Sequence, residues 1–185
     1  DYAGEVEVAH LLPLLRDRLG WEALKAKVKR PLTGLKVATF YGCTLIRPES
    51  VAINGPTPEI FEEFLRALGA EPVPFSASQE CCGSYQSVAH VEAANERAAK
   101  VLRSVQASGA DALVLSCPLC EYNLGTRQGE LLQLIEGGSP IPSFYFTQLL
   151  AVALGLEPEL CHLELNGEAA LNLLKAREYI AAAPA

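Results

Sequence analysis

The chain has 185 residues, the length of one ordinary domain. Half of its residues are hydrophobic and 20% are charged, a composition that excludes a disordered or fibrous protein. Lys and Arg number 15 against 22 Asp and Glu, and the net charge of −7 disfavours nucleic acid as the main partner, because phosphate binding requires surplus cations. With no apolar run long enough to span a membrane and no signal segment at the start, we expect a cytoplasmic protein.

The first 30 residues are predicted to be helical. Residues 5–19 carry apolar side chains at roughly helical spacing, and residues 21–28 could extend this region. Pro13 lies inside the first run and argues against an unbroken helix. A short basic stretch follows, and we expect it to be a solvated surface: Lys25, Lys27, Lys29 and Arg30.

From residue 35 onwards, predicted strands and helices alternate. The predicted strands are 35–41, 71–75, 111–116 and 143–146, and the predicted helices are 59–68, 88–108, 121–135 and 148–154. Pro72 and Pro74 suit the second strand to the edge of a sheet. The alternation predicts an α/β fold, with an open, mostly parallel sheet that carries helices on both faces.

Five of the six cysteines lie just past the ends of predicted strands. Cys43 follows the first strand, Cys81 and Cys82 follow the second, and Cys117 and Cys120 follow the third. Ligands collect at the edge of an open α/β sheet where the carboxyl ends of its strands meet. We therefore expect these five thiols to converge on loops at that edge.

A thiol cluster of this kind binds zinc or an iron–sulfur centre, because soft sulfur ligands suit both. Adjacent cysteines such as Cys81 and Cys82 rarely pair with each other, which disfavours a disulfide framework. Tetrahedral zinc would leave one of five thiolates idle, so the set favours a centre with more than one metal ion. A redox pair of Cys117 and Cys120 at a helix N-terminus is a further alternative.

Three short motifs carry a family resemblance: YGC at 41–43, CCG at 81–83 and CPLC at 117–120. Together they resemble the cysteine-rich CCG domain, in the version found in the C-terminal half of the B subunit of heterodisulfide reductase. The likeness covers about residues 5–155 and includes YGCTLIRP at 41–48, CPLCEYNLGTRQ at 117–128 and IPSFYFTQLLAVALG at 141–155.

The resemblance implies a noncubane 4Fe-4S cluster, with zinc as the alternative metal. Its ligands would be Cys43, Cys81, Cys82, Cys117 and Cys120, of which Cys81 and Cys82 would be the catalytic residues. It implies an oxidoreductase subunit that exchanges electrons with a disulfide or quinone-linked acceptor, in a complex with other iron–sulfur or flavin subunits. The alternative function is a zinc-binding structural or interaction module on the same scaffold.

The family normally carries two CCG motifs, whereas this chain carries one. Met is absent even at position 1, so we expect a segment to have been removed from the front of the chain. Either that segment held the other motif, or the chain is a single-motif relative. We divide the chain into an N-terminal helical linker (1–34), a CCG cysteine-rich domain (35–160) and a C-terminal helical tail (161–185).

Other polar residues receive simpler interpretations. We expect Cys161 to be a free thiol and His90 to face solvent. His10 is interpreted as a histidine at a helix surface or core edge, although the resemblance brings it closer to the cluster. Arg47 and Arg127 are candidates to bind an anionic substrate or partner near the thiols.

Two glycines beside the candidate ligands have a clearer role. Gly42 and Gly83 are expected to adopt positive φ angles and to let the backbone approach a cluster closely.

Overall fold

The computed structural model describes residues 3–53 and 59–180. Within them, a single sheet contains the strands β1 (Lys36–Thr39), β2 (Glu71–Val73), β3 (Ala112–Leu115) and β4 (Ser143–Tyr145). All strand pairs are parallel, and their order is β2-β1-β3-β4. The prediction of an open parallel α/β sheet is confirmed, with the proline-containing β2 at an edge.

The helices of the described residues are α1 (Leu11–Leu14), α2 (Trp21–Lys25), α3 (Ile60–Ala67), α4 (Val91–Ser108), α5 (Pro118–Glu121), α6 (Gln128–Leu132), α7 (Phe146–Ala153) and α8 (Gly167–Ala176). The π-helical turns Leu15–Leu19 and Tyr122–Thr126 continue α1 and α5. Short 3-10 turns occur at Glu49–Val51, Ser84–Gln86, Pro158–Cys161 and Leu163–Asn166.

The prediction of a helix over residues 5–19 is wrong at its start, because the helix begins only at Leu11. His10 caps it, and its Nδ1 accepts a hydrogen bond from the Leu12 N–H at 3.2 Å. Pro13 then lies in the first turn, where a helix needs no N–H donor.

The prediction of one helix over residues 121–135 is also wrong. The helical segment begins earlier, at Pro118, a position where proline's fixed φ favours a helix start. It then passes through the π-helical turn Tyr122–Thr126 before α6, so three short pieces replace one helix.

Helices cover both faces of the sheet, as a parallel sheet requires. On one face, Val37, Val114 and Phe144 pack into a cluster with aromatic residues of α3 and α7. On the other face, Ala38, Leu113 and Leu115 pack against the small and branched residues of α4. Both faces are therefore buried, and functional side chains can only be exposed at the edges of this layer.

The amino-terminal edge of the sheet is closed by polar contacts. Asp111 Oδ2 accepts hydrogen bonds from the Lys36 N–H at 2.9 Å and from the Arg177 guanidinium at 3.2 Å. Arg177 also donates to the Gly34 carbonyl at 3.0 Å. These bonds fasten the start of β1 and the segment after α8 to each other.

The outer side of β4 is covered by two side-chain amides. Asn166 donates to the Ser143 carbonyl at 2.8 Å, and Gln148 accepts from the Tyr145 N–H at 2.9 Å. The two amides also bond to each other, with Gln148 Nε2 donating to Asn166 Oδ1 at 2.7 Å. These two backbone groups of β4 are thus occupied within the chain.

In the described part of the chain, no helix combines the length and the apolar character needed to cross a bilayer.

Candidate metal centre

Five cysteines follow the carboxyl ends of β1, β2 and β3, four of them on the connecting loops and Cys120 in α5. The first two loops are joined through the backbone, because the N–H groups of Tyr41 and Gly42 both donate to the Ser78 carbonyl, at 2.8 and 3.3 Å. The third loop leads directly into α5, with Cys117 as its N-cap residue. The fold therefore brings together thiols that are far apart in sequence.

The thiols form two close pairs, with the fifth beside one of them. Cys43 Sγ lies 3.8 Å from Cys81 Sγ, and Cys82 Sγ lies 3.3 Å from Cys120 Sγ. The thiol of Cys117, three residues before Cys120, interacts with the Cys120 thiol. In residues 3–53 and 59–180, no group of three or more His, Cys, Asp or Glu side chains is arranged so that it could hold a metal ion. The observed arrangement is thus one of pairs.

Burial divides the five thiols into an inner and an outer set. Cys82 and Cys120 are only 3% and 4% exposed and belong to the hydrophobic cluster that packs against α4. Cys43, Cys81 and Cys117 are half-buried. One side of the centre is therefore shielded from water, and the other side is accessible.

Interactions among Cys82, Cys117 and Cys120 shift the pKa values of all three thiols. The hydrogen bond from Cys120 lowers the pKa of Cys117 to about 5, aided by the backbone amides at the start of α5. The same thiol lowers the pKa of Cys82 to about 7, and the pKa of Cys120 itself is raised. Burial, followed by the nearby Cys81 thiol, raises the pKa of Cys43. Thiolate is the form that binds metal, so the lowered pKa values of Cys117 and Cys82 favour metal binding at neutral pH.

The two glycines beside the cysteines both have positive φ, as predicted. Gly83 has φ +79°, and a Cβ there would lie 3.2 Å from the Ala94 Cα. Gly42 has φ +61°, and a Cβ would lie 3.4 Å from Cys120 Sγ. Both positions therefore favour glycine for its backbone freedom and for its lack of a side chain.

Arg127 is the predicted site residue whose setting differs most from expectation. Its guanidinium donates to Asn123, Asn95 and Glu130, at 2.9, 2.9 and 3.0 Å, and its side chain is 12% exposed. These internal partners occupy it, so the structure does not support Arg127 as an anion-binding residue. Arg47, the other candidate, is exposed.

The sequence interpretation missed Asn123. This residue is fully buried, and its Nδ2 donates to the Cys82 carbonyl at 2.8 Å. A polar residue three positions after Cys120 was the only local signal for it.

The remaining predicted residues have surroundings of other kinds. His90 is exposed, as expected, at the residue before α4. His10 stacks on Phe146 with ring centroids 5.8 Å apart, and burial lowers its pKa. Cys161 is a free, buried thiol in the cluster on the other face of the sheet from Cys82.

Residues 37–125 match the cysteine-rich domain family named CCG. This match runs from β1 to the π-helical turn after α5 and includes all five clustered cysteines. The resemblance to the CCG domain is therefore confirmed.

The particular relatives are subunits of redox complexes, by their names. The chain is 36% identical over 157 residues to the 8-methylmenaquinol:fumarate reductase membrane anchor subunit of Wolinella succinogenes, covering 84% of this chain and 55% of that protein. It is 34% identical over 170 residues to the B subunit of the ferredoxin/F(420)H(2)-dependent CoB-CoM heterodisulfide reductase of Methanosarcina acetivorans, covering 90% and 56%. The predicted likeness to the heterodisulfide reductase B subunit is confirmed, and the chain spans about half the length of these curated relatives.

A solved structure shares the fold. A hypothetical protein from Helicobacter pylori superimposes with a TM-score of 0.64 at 14% sequence identity, over 88% of this chain and 28% of that one. At this identity the likeness concerns the fold alone.

Proposed function

We propose that the chain is an iron–sulfur redox subunit of the heterodisulfide reductase B type. Its five cysteines would bind a noncubane 4Fe-4S cluster that exchanges electrons with a disulfide or a quinone-linked acceptor. The observation that carries this proposal is the convergence of three cysteine loops at one sheet edge, with sulfur atoms 3.3 and 3.8 Å apart. The names of the relatives, a heterodisulfide reductase subunit and a subunit of a menaquinol-linked reductase, support both acceptor classes.

The chemistry of the donor set fits such a group, although in the described residues the thiols are arranged in pairs. The five side chains are all thiols, and soft thiolate is the ligand that iron–sulfur clusters use. Cys43, Cys81, Cys82, Cys117 and Cys120 would hold the cluster, and Cys81 and Cys82 would be the catalytic residues. The cluster would supply one-electron transfer.

The surrounding residues determine from which side an electron acceptor can approach the metal centre. The inner thiols, Cys82 and Cys120, lie in the apolar cluster against α4, which excludes water from that side. The outer thiols, Cys43, Cys81 and Cys117, are half-buried at the accessible side. We therefore place the electron acceptor at the outer side.

The proposal includes partners and a cellular location. The sequence contains no Gly-x-Gly-x-x-Gly fingerprint for a nicotinamide or flavin cofactor, so electrons would come from another iron–sulfur or flavin subunit. A cytoplasmic location is likewise part of the proposal. The relative named as a membrane anchor subunit makes attachment to a membrane complex the competing possibility.

Anaerobic reconstitution with iron and sulfide tests the metal assignment. We expect a brown protein with several irons and sulfides in each chain. Cys81→Ser and Cys82→Ser should lose much of this content, whereas Cys161→Ser should retain it, because Cys161 lies on the other face of the sheet. Stoichiometric zinc without sulfide after anaerobic purification would contradict the proposal.

A zinc-binding structural or interaction module is the second candidate. The 3.8 Å between Cys43 Sγ and Cys81 Sγ favours it, since two thiolates on one tetrahedral zinc ion lie about 3.8 Å apart at the usual zinc–sulfur length. Visible absorption separates the two candidates, because iron–sulfur clusters are coloured and zinc is not.

A further inference from the structure

A chain of hydrogen bonds runs outward from the backbone of the inner thiol pair. The Cys82 carbonyl accepts from Asn123 Nδ2 at 2.8 Å, and Asn123 Oδ1 accepts from the Arg127 guanidinium at 2.9 Å. Arg127 in turn donates to Asn95 Oδ1 at 2.9 Å. The chain therefore connects the CCG loop, the turn after the CPLC motif and helix α4.

Asn123 can bond to both Cys82 and Arg127 because it lies in a π-helical turn. The Arg127 N–H donates to the Tyr122 carbonyl at 2.9 Å, five residues back, and this bond widens the turn. Such turns are frequent at functional sites. Asn123 is fully buried there, with its donor and its acceptor side each engaged by one partner. The amide thus has a fixed orientation, which a water-exposed side chain would lack.

The bond acts between the two loops that hold the inner thiols. Asn123 follows Cys120 by three residues in the same helical segment, and its amide holds the carbonyl of Cys82. The two sulfur atoms lie 3.3 Å apart. Holding the Cys82 backbone from the Cys120 segment is therefore a direct way of setting the separation between the two sulfur atoms.

We propose that Asn123, held in place by Arg127, is a positioning residue that sets the location of Cys82 relative to Cys120. As a statement about a metal centre, this rests on the proposed function, in which both cysteines are ligands. Groups that orient metal ligands in other proteins change metal affinity by about 10- to 100-fold when they are replaced. As a statement about the thiols, it also holds for the metal-free protein and can be tested there.

Gln128 provides a matched control. It is a buried amide five residues further along, and its Nε2 donates to the Leu124 and Ile141 carbonyls at 2.7 and 3.0 Å. Its Oε1 accepts from the Ile141 N–H at 2.6 Å. Gln128 is therefore at least as heavily bonded as Asn123, with three bonds against two, but it holds the loop before β4, and none of its bonds reaches a cysteine loop.

The first measurement uses reduced, metal-free protein. Alkylation by iodoacetamide is followed at each cysteine by mass spectrometry, and the Cys82 rate is divided by that of Cys161, the buried thiol on the other face of the sheet. We expect Asn123→Ala to raise this ratio about five- to tenfold, because the Cys82 backbone loses the hydrogen bond that holds it, and Gln128→Ala to leave it unchanged. General unfolding would raise the Cys161 rate as well, so a Cys161 rate equal to that of wild type identifies a local effect at Cys82. An equal ratio in Asn123→Ala and Gln128→Ala would overturn the proposal.

A milder variant covers the case in which Asn123→Ala does not fold. Arg127→Lys keeps the positive charge but cannot reach Asn123 and Asn95 together, so the ratio should rise in the same direction by a smaller factor. A ratio equal to wild type in this variant would then contradict the inference.

The second measurement uses metal-loaded protein and a chelator. The half-time of metal loss should shorten about tenfold in Asn123→Ala and stay unchanged in Gln128→Ala, whether the metal is iron or zinc. Equal half-times in the two variants would contradict the claim that Asn123 positions a ligand of the metal site. A wild-type chain that binds no metal would defeat the proposed function, and the alkylation ratio would still decide whether Asn123 positions Cys82.

Discussion

The amino-terminal and carboxyl-terminal edges of the sheet differ in how their polar side chains are used. At the amino-terminal edge, Asp111 and Arg177 are bonded to each other and to the backbone, so their polar groups are used within the chain. At the carboxyl edge, Cys43, Cys81 and Cys117 are half-buried thiols whose nearest polar partners include other thiols. The amino-terminal edge therefore contributes to the stability of the fold, whereas the carboxyl edge supplies the thiols that can bind a metal. Substitutions at the two edges should therefore affect different measurements.

The largest effect should come from Cys120→Ser. Cys120 contacts both Cys82 and Cys117 through its thiol, so its loss should remove nearly all bound metal after anaerobic reconstitution. Serine is close in size, and the melting temperature of the metal-free protein should change little. Metal analysis and thermal unfolding of the metal-free form measure the two quantities. Retention of wild-type metal content in Cys120→Ser would contradict the assignment of metal binding to the carboxyl edge.

Removal of the metal in air should convert the carboxyl edge into disulfides. Cys82 and Cys120 should pair preferentially, because their sulfur atoms are already 3.3 Å apart and exposed thiolates nearby can start the exchange. Peptide mapping under non-reducing conditions identifies the bonds, and Cys161 serves as the thiol that stays free. A metal-free, air-exposed sample with all five clustered thiols reduced would contradict this prediction.

Gly83→Ala should destabilise the fold by about 2 to 4 kcal/mol. The left-handed conformation costs an alanine about 1 to 2 kcal/mol, and the new Cβ would also lie 3.2 Å from the Ala94 Cα. Gly109→Ala is the control, because Gly109 has φ +72° but open space around its Cβ position. Denaturant unfolding of both variants isolates the cost of the close approach. Equal losses would show that helix α4 does not constrain the CCG loop.

The smallest effect should come from Arg177→Met at the amino-terminal edge. The ion pair with Asp111 is partly exposed, so its loss together with the bond to Gly34 should cost about 1 kcal/mol. The metal content of the reconstituted protein should equal that of wild type. A drop in metal content comparable to that of Cys120→Ser would show that the two edges are coupled.

The sequence was sufficient to predict the sheet and the convergence of the cysteines. The strands are short apolar runs, and a cysteine that follows such a strand must lie at its carboxyl end. The bond from Asn123 to the Cys82 carbonyl could not be predicted, because it joins residues 41 positions apart and depends on a π-helical turn.

Arg127 illustrates the same limit. In sequence it is a cation near a thiol motif, and only the packing of α4 shows that Asn95 engages its guanidinium. The interpretation of His10 as a histidine at a helix surface or core edge did not include its role as the cap of α1. Local pattern predicts elements well, while side-chain partners depend on the tertiary fold.

The amide pair along β4 has a consequence for association between chains. An open strand edge is a template on which another chain can add a strand, and this is a common route to aggregation. Here Asn166 and Gln148 occupy the Ser143 carbonyl and the Tyr145 N–H on one side of the sheet, while Pro72 interrupts β2 on the other. Neither lateral edge offers a continuous ladder for cross-chain pairing. A concentrated sample of the folded protein should therefore resist fibril formation that proceeds by strand addition.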